Sequence, residues 1–347
     1  MSDLITNKNY KFNPYIYDKK QSIFAGIGVA VVTPFTENDE IDKEAIYKLS
    51  NHLFLNGISY VVVQGTTGES SVLNHQEKNL VNSLFIDAFK DRLPLILGMS
   101  SNDTRYICDL ISSYDFTGFE AIMSVCPYYN KPSQEGIFQH FAKISDVSPI
   151  PLILYNVPGR TSCDISNNTI IKLSEYNKKI IGIKEASGDP SRVVELRKKI
   201  NRDFLIISGD DFTMIDAIRN GADGIISVAA NAFPSIMSDS YLSLLWEEEK
   251  NKPNIIELLP KVDKSNFILN DFFNLIFEQG NPAGIKFALR CLSLCSDKVR
   301  LPLTEISNDL KQMIHLLFLA QLRMKYHLKK DDYLTYKLLL CLFHHFQ

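Results

Sequence analysis

The sequence predicts an α/β fold, a (β/α)8 TIM barrel followed by a C-terminal helical subdomain. Three observations lead there. Eight short apolar, β-branched runs recur along most of the chain, and segments with helical periodicity separate them. The runs are continuously apolar rather than alternating, as expected of parallel strands buried on both faces. Strand and helix in repeated alternation over this length argue for closure into a barrel.

The strand candidates, in order, are "GIGVAVVTPF" from Gly26, "ISYVVVQG" from Ile58, "PLILGMS" from Pro94 and "EAIMSVCP" from Glu120. "PLILYNVP" from Pro151, "IIGIKE" from Ile180, "FLIISGD" from Phe204 and "GIISVAA" from Gly224 complete the eight. Between them, "DKEAIYKLSNHLFLNG" sets Ile46, Leu49 and Leu53 near one face and ends in Gly57, a residue suited to a helix C-terminus. "NHQEKNLVNSLFIDAFKD" and "PSRVVELRKKIN" carry the same period. An open doubly wound sheet is the competing arrangement, but "VVTPFTENDE" after the first strand lacks its glycine-rich phosphate fingerprint.

Polar, proline-bearing text in "KNKPNIIELLPKVDKSN" marks a break after the barrel. Beyond it, "FILNDFFNLIFEQG", "NPAGIKFALRCLSL" and "ISNDLKQMIHLLFLAQLRMKY" read as helices packed on the barrel. The expected division is an N-terminal extension over 1–22, the barrel over 23–250, the helical subdomain over 251–320 and a C-terminal extension over 321–347. His344 and His345, adjacent in that last segment, face different sides of any helix and make a poor metal pair.

Composition excludes several classes. The 347 residues carry 37 basic and 40 acidic side chains, a formal net charge of -3, so no basic field points to nucleic acid or an anionic membrane. No stretch approaches the roughly 20 apolar residues that cross a bilayer, and the polar N-terminus has no signal-peptide core. The six cysteines form no Cys-x-x-Cys pair, and no histidines near Cys291 and Cys295 complete a zinc set. Free thiols in a reducing cytoplasm are the expectation.

In such barrels function collects at the C-terminal ends of the strands. There stand "GTTGES" after the second run, "CPYYNKPSQEG" after the fourth, "YNVPGRT" closing the fifth, Lys184 closing the sixth, "SGDD" after the seventh and "ISVAAN" at the eighth. A lysine among barrel walls loses hydration, which disfavours its charged form, and a neutral amine can form a Schiff base with a ketone. The imine draws electrons, so a neighbouring methyl can shed a proton to a relay; Tyr155 on the adjacent strand has a phenol fit for that work. Thr66 and Thr67 sit in a glycine-flanked turn able to bind a carboxylate. Arg160 has a fork that matches a second carboxylate. Taken singly, each of these residues also has an ordinary structural reading: strand-end ion pair, plain turn, aromatic packing, loop cap.

Together "GTTGES", "YYNKPSQEG", "YNVPGRT", "IIGIKEASGD", "SGDD", "GADGIISVAAN" and the later "NPAGIKFAL" and "RLPL" resemble the dihydrodipicolinate synthase / N-acetylneuraminate lyase family of class I aldolases. The likeness runs in order from about Gly26 to about Leu303. It implies an imine between Lys184 and pyruvate, with Tyr155 as proton relay linked through Thr66 to Tyr129 from a neighbouring subunit. Thr67 would hold the pyruvate carboxylate, Arg160 would meet the carboxylate of L-aspartate 4-semialdehyde, and Gly209 and Ile226 would line the pocket. No metal or other cofactor is implied, and the assembly implied is a homotetramer, a dimer of dimers. The branch favoured is the synthase of diaminopimelate and lysine biosynthesis. Two threonines in "GTTGE" and Arg160 set it apart from the sialic-acid lyases and sugar-acid aldolases, since a buried arginine discriminates against a neutral polyol. A non-catalytic pyruvate-binding barrel would be expected to lack the lysine or the tyrosine, and both are present.

Lysine-inhibited members carry an effector site at the tight dimer interface. Ser70, His75, Asn102 and Tyr128 match positions of it, whereas Lys78 stands where some have histidine and Tyr106 replaces the acid that meets the effector's ammonium. Without that carboxylate a bound ammonium has no charge partner. Weak or absent feedback is expected.

Overall fold

The structure is a computed structural model, and it describes residues 22–248 and 262–325. Most of the predicted N-terminal extension, the larger part of the predicted break and all but the first residues of the C-terminal extension, with His344, His345 and Cys341, lie outside the described residues.

Eight parallel strands close into a barrel in chain order: β1 (Gly26–Ala30), β2 (Tyr60–Val63), β3 (Leu95–Gly98), β4 (Ala121–Val125), β5 (Leu152–Asn156), β6 (Ile180–Glu185), β7 (Leu205–Ser208) and β8 (Gly224–Ser227). β8 pairs back onto β1 through Gly26–Gly224 and Ile27–Ile225, so no sheet edge is left open. At that seam a Cβ on Gly224 would sit 2.0 Å from the carbonyl oxygen of Gly26, and its φ of +157° also favours glycine.

Between the strands lie α1 (Lys43–Leu55), α2 (His75–Phe89), α3 (Thr104–Ser113), α4 (Gln134–Val147), the single turn α5 (Pro158–Thr161), α6 (Asn167–Tyr176), α7 (Ser191–Lys199), α8 (Met214–Arg219) and α9 (Pro234–Glu248). Their starts are set by side-chain caps. Asp42 accepts from Ala45 N, Ser133 from Gly136 N and Ser166 from Thr169 N, and Asn74 forms a reciprocal capping box with Glu77. The helices bury Ile46, Leu49, Phe85, Ile107, Phe141 and their neighbours against the outer face of the barrel. A second cluster fills the barrel itself, with Tyr60, Val62, Ile96, Met123, Ile153, Leu205, Ile207 and Ile226. The interior is therefore a packed core with a mouth, not a pore.

After the barrel come α10 (Val262–Phe277), α11 (Ala283–Cys291) and α12 (Asn308–Lys325). α10 begins inside "KVDKSN", text that reads as part of the break; its apolar stripe further on carries the helix back to Val262. α11 packs directly on α10, for a Cβ on Gly284 would lie 2.2 Å from the carbonyl oxygen of Ile276. No helix among the described residues is long and apolar enough to cross a membrane.

Candidate active site

Lys184 lies on the inner side of β6, in register with Tyr155 of β5 and Ile207 of β7. Only 5% of Lys184 is exposed, and its Nζ sits 4.4 Å from the centre of the Tyr155 ring, which is itself buried. The next residue, Glu185, points outward into a separate polar cluster. It accepts from Asn156 Nδ2 at 3.0 Å and from Ser187 N at 2.8 Å, and pairs with Arg192 Nε at 3.2 Å. The Lys-Glu neighbours thus face opposite sides of one strand and do not pair with each other. Lys184 has no carboxylate partner among the described residues, which leaves its amine unclaimed in the barrel.

Gly209, just beyond β7, makes that placement possible. A Cβ there would stand 2.8 Å from Lys184 Cε and 2.6 Å from the Cβ of Ala186, so any side chain would push into the lysine stem. Its amide is held by the carbonyl of Glu185 at 2.7 Å. Ile226 of β8 is fully buried in the inner cluster that also holds Tyr155.

The "GTTGES" segment forms a single tight turn over Thr66–Gly68. Thr66 is exposed and Thr67 is buried. Gly68 comes within 3.2 Å of the Val31 carbonyl at its would-be Cβ, and its own carbonyl accepts from Thr33 Oγ1 at 2.6 Å. Glu69 follows in the left-handed region at φ +53°. That unfavourable conformation is held because the Glu69 side chain is fully buried on Lys286 of α11, with Nζ 2.5 Å from Oε1, while Arg300 N donates to Oε2 at 3.0 Å. Burial pulls the Lys286 ammonium below the ordinary lysine range, opposed by Glu69.

Other loops at the mouth are stitched by buried polar side chains. Asp211 of "SGDD" accepts from Ser227 Oγ at 2.5 Å and from the amides of Val228 and Ala229 at 3.0 and 3.1 Å, tying β7 to β8. Its burial raises the carboxyl to about 6 in spite of those donors. Asn231 bridges β8 to β1 through the Ala30 carbonyl and Val32 amide.

The remaining predicted residues stand further out. Arg160 is exposed on α5, not buried as the discrimination against a neutral polyol assumed, because the short turn carrying it lies at the outer rim, and it has no carboxylate partner among the described residues. Tyr129 is 88% exposed with φ +74°, and no hydrogen bond joins it to Thr66 or Tyr155 within the single chain. Of the effector-site set, Asn102 Nδ2 donates to the Tyr128 carbonyl at 3.2 Å, whereas His75 contacts Asn79 on its own helix. Tyr106 is exposed. Among the described residues five cysteines are free thiols; Cys126 and Cys163 meet at 3.0 Å between sulfurs beside the mouth. Among the described residues no group of three or more His, Cys, Asp or Glu side chains is arranged to hold a metal ion.

The model of the dihydrodipicolinate synthetase family covers residues 23–321. The chain belongs to that family. It is 41% identical over 296 residues to the 4-hydroxy-tetrahydrodipicolinate synthase of Flavobacterium psychrophilum, spanning 84% of this chain and 97% of that one. Among solved structures it resembles a dihydrodipicolinate synthase from Bacillus anthracis, 37% identical with a TM-score of 0.78 over 85% of this chain and 97% of that chain. It also resembles a monomeric dihydrodipicolinate synthase variant, 30% identical with a TM-score of 0.79 over 85% and 96% of the two chains.

Reasoning from residue types missed the partners behind the turn. Asn281, Lys286 and Arg300 all lie more than two hundred residues from the segment they hold. A lone lysine inside the otherwise apolar "AGIKFAL" was the available signal, since such a residue needs a buried acid.

Proposed function

We propose that the protein is a lyase that condenses pyruvate with L-aspartate 4-semialdehyde to 4-hydroxy-tetrahydrodipicolinate, the entry step to diaminopimelate and lysine, through an imine on Lys184. The observation that carries this reading is the Lys184 amine, buried at a barrel mouth over the Tyr155 ring with no acid beside it. The amine attacks the pyruvate ketone carbon, and water leaves as the iminium forms. The iminium carries the positive charge that acidifies the adjacent methyl, so no metal is required for this step. Tyr155 passes the methyl proton away, giving an enamine. The enamine carbon bonds to the aldehyde carbon of the second substrate, whose oxygen takes up a proton. That substrate's own amine then adds to the imine carbon, and the Lys184 amine leaves as the ring closes.

Thr67 is assigned the pyruvate carboxylate and Arg160, with its unpaired fork, the carboxylate of the semialdehyde. Thr66 and Tyr129 are assigned to the proton relay. The exposure of Tyr129, with Tyr106 and Tyr128 also bare, supports completion of that relay by a second copy of the chain, in a dimer of dimers. The free thiols, of which Cys126 and Cys163 are buried, support a reducing, cytoplasmic setting.

The test is incubation with pyruvate and borohydride followed by peptide mapping. Lys184 should gain the mass of one reduced pyruvate, and the treated enzyme should lose condensation activity. An unmodified Lys184 overturns the proposal. Mixing Tyr129→Phe with Lys184→Ala subunits tests sharing: recovered activity is expected, and none on mixing refutes a shared relay.

A further inference from the structure

We infer that Asn281, carried by the helical subdomain, is a positioning residue that aims the Thr67 hydroxyl proton at the substrate carboxylate. The inference rests on the assignment of Thr67 to pyruvate made above and extends it to a residue outside the barrel. Asn281 Nδ2 donates to Thr67 Oγ1 at 2.9 Å across a sequence separation of 214 residues, and both side chains are buried. A threonine hydroxyl has two lone pairs and one proton. With one lone pair taken by an amide donor, the proton is turned away from Asn281, and no other acceptor for it stands near among the described residues. An anionic carboxylate is the natural acceptor for a buried, preset donor.

The platform that presents Asn281 is stiff. It immediately precedes α11, which is buried along most of its length, packs on α10 with no room for a Cβ at Gly284, and sends Lys286 to grip Glu69 two residues beyond Thr67. The same piece of chain therefore fixes both the turn's backbone and its hydroxyl. Asn281 Oδ1 has no partner, so the opposite amide orientation would be open to it: Oδ1 would then take the Thr67 proton and substrate would have to compete for it. The two orientations predict opposite effects of removing the side chain.

Steady-state kinetics and borohydride trapping on full-length Asn281→Ala, Asn281→Ser and Asn281→Asp separate them. Asn281→Ala is expected to raise the KM for pyruvate about tenfold, the scale of one hydrogen bond to a charged group, with kcat within about twofold and an unchanged melting temperature. Asn281→Asp, which accepts the Thr67 proton and adds a negative charge, is expected to raise it further. Asn281→Ser provides the same comparison should the alanine variant not fold. In a Thr67→Val background the Asn281→Ala change is expected to add less than about twofold, because the hydroxyl it acts through is gone. An unchanged or lowered KM, an equal loss in both backgrounds, or parallel collapse of kcat and melting temperature overturns the inference. If wild-type protein fails to trap pyruvate, the parent reading fails; if it traps and Asn281→Ala is silent, only the role of Asn281 falls.

Discussion

Replacing Lys286 by methionine isolates what the helical subdomain does for the barrel mouth. Methionine nearly keeps the volume but removes an ammonium 2.5 Å from Glu69 Oε1 and 2.8 Å from the Lys298 carbonyl, at a site where neither charged side chain has any accessible surface. Among the described residues Glu69 would keep only the Arg300 amide as a donor. Leaving one member of such a pair buried alone costs about 3–5 kcal/mol. That is a large share of the ~5–15 kcal/mol that holds a typical domain folded. Removing both charges together, as Glu69→Gln with Lys286→Met, should restore at least half of the loss, since an intact buried pair is worth little over neutral groups of the same shape. Urea unfolding followed by far-UV circular dichroism measures both variants, and the pyruvate KM reports whether the Thr66–Gly68 turn has shifted. A single-variant loss below about 1 kcal/mol, or a double variant as unstable as the single one, would refute the reasoning that the pair is buried and mutually dependent.

The remaining expectations are briefer. Gly209→Ala places a methyl 2.8 Å from Lys184 Cε, so trapping of pyruvate on Lys184 should slow at least tenfold, on the order of 1–3 kcal/mol of overpacking, while the fold persists; wild-type trapping rates would refute the contact. Burial holds His140 at about 4, with Nδ1 on Thr104 and Nε2 unpartnered, so its contribution is complete above the unfolded pKa of 6.5 and is lost as pH falls toward 4. The size is about 3 kcal/mol, and His140→Gln should flatten that acid limb in pH-dependent urea melts. Asp211, raised to about 6, works in the opposite sense: its burial costs stability as pH rises from about 4 to about 6, and Asp211→Asn should remove that slope. Lysine should not half-inhibit condensation at sub-millimolar concentration, because exposed Tyr106 offers no carboxylate to an ammonium; strong inhibition would show that another acid serves.

The parts of this molecule that could be read from the chain were those with a local physical cause. All eight strands were visible because strands buried on both faces are continuously apolar, and the first helix because Ile46, Leu49 and Leu53 recur at its period. The residues of the mouth could be found because polar side chains at strand ends need a reason to be there. What holds them could not. The bonds from Asn281 to Thr67 and from Lys286 to Glu69 join segments with no period or spacing in common, and only the packing of α11 on α10 brings them together.

The side on which Lys184 emerges shows the limit most sharply. Strict alternation along β6 would set Lys184 on the same face as Ile180, and Ile180 belongs to the outer core against the helices. Counted that way, the amine would be buried under α-helices and useless. The ladder between β5 and β6 slips once: Leu152 pairs with Ile180, yet Ile153 pairs with Gly182, so Ile181 is the extra residue of a bulge. Ile181 packs on the inner cluster, Ile183 on the outer one, and the phase is inverted from there on. Lys184 then faces Tyr155 inside the barrel while Glu185 goes out to Asn156 and Arg192. Bulges of this kind re-aim side chains beside active sites, and they are set by pairing with a neighbouring strand rather than by the run's own composition. The chemistry proposed for Lys184 therefore depends on one residue inserted three positions earlier, in a run where every apolar letter looks alike.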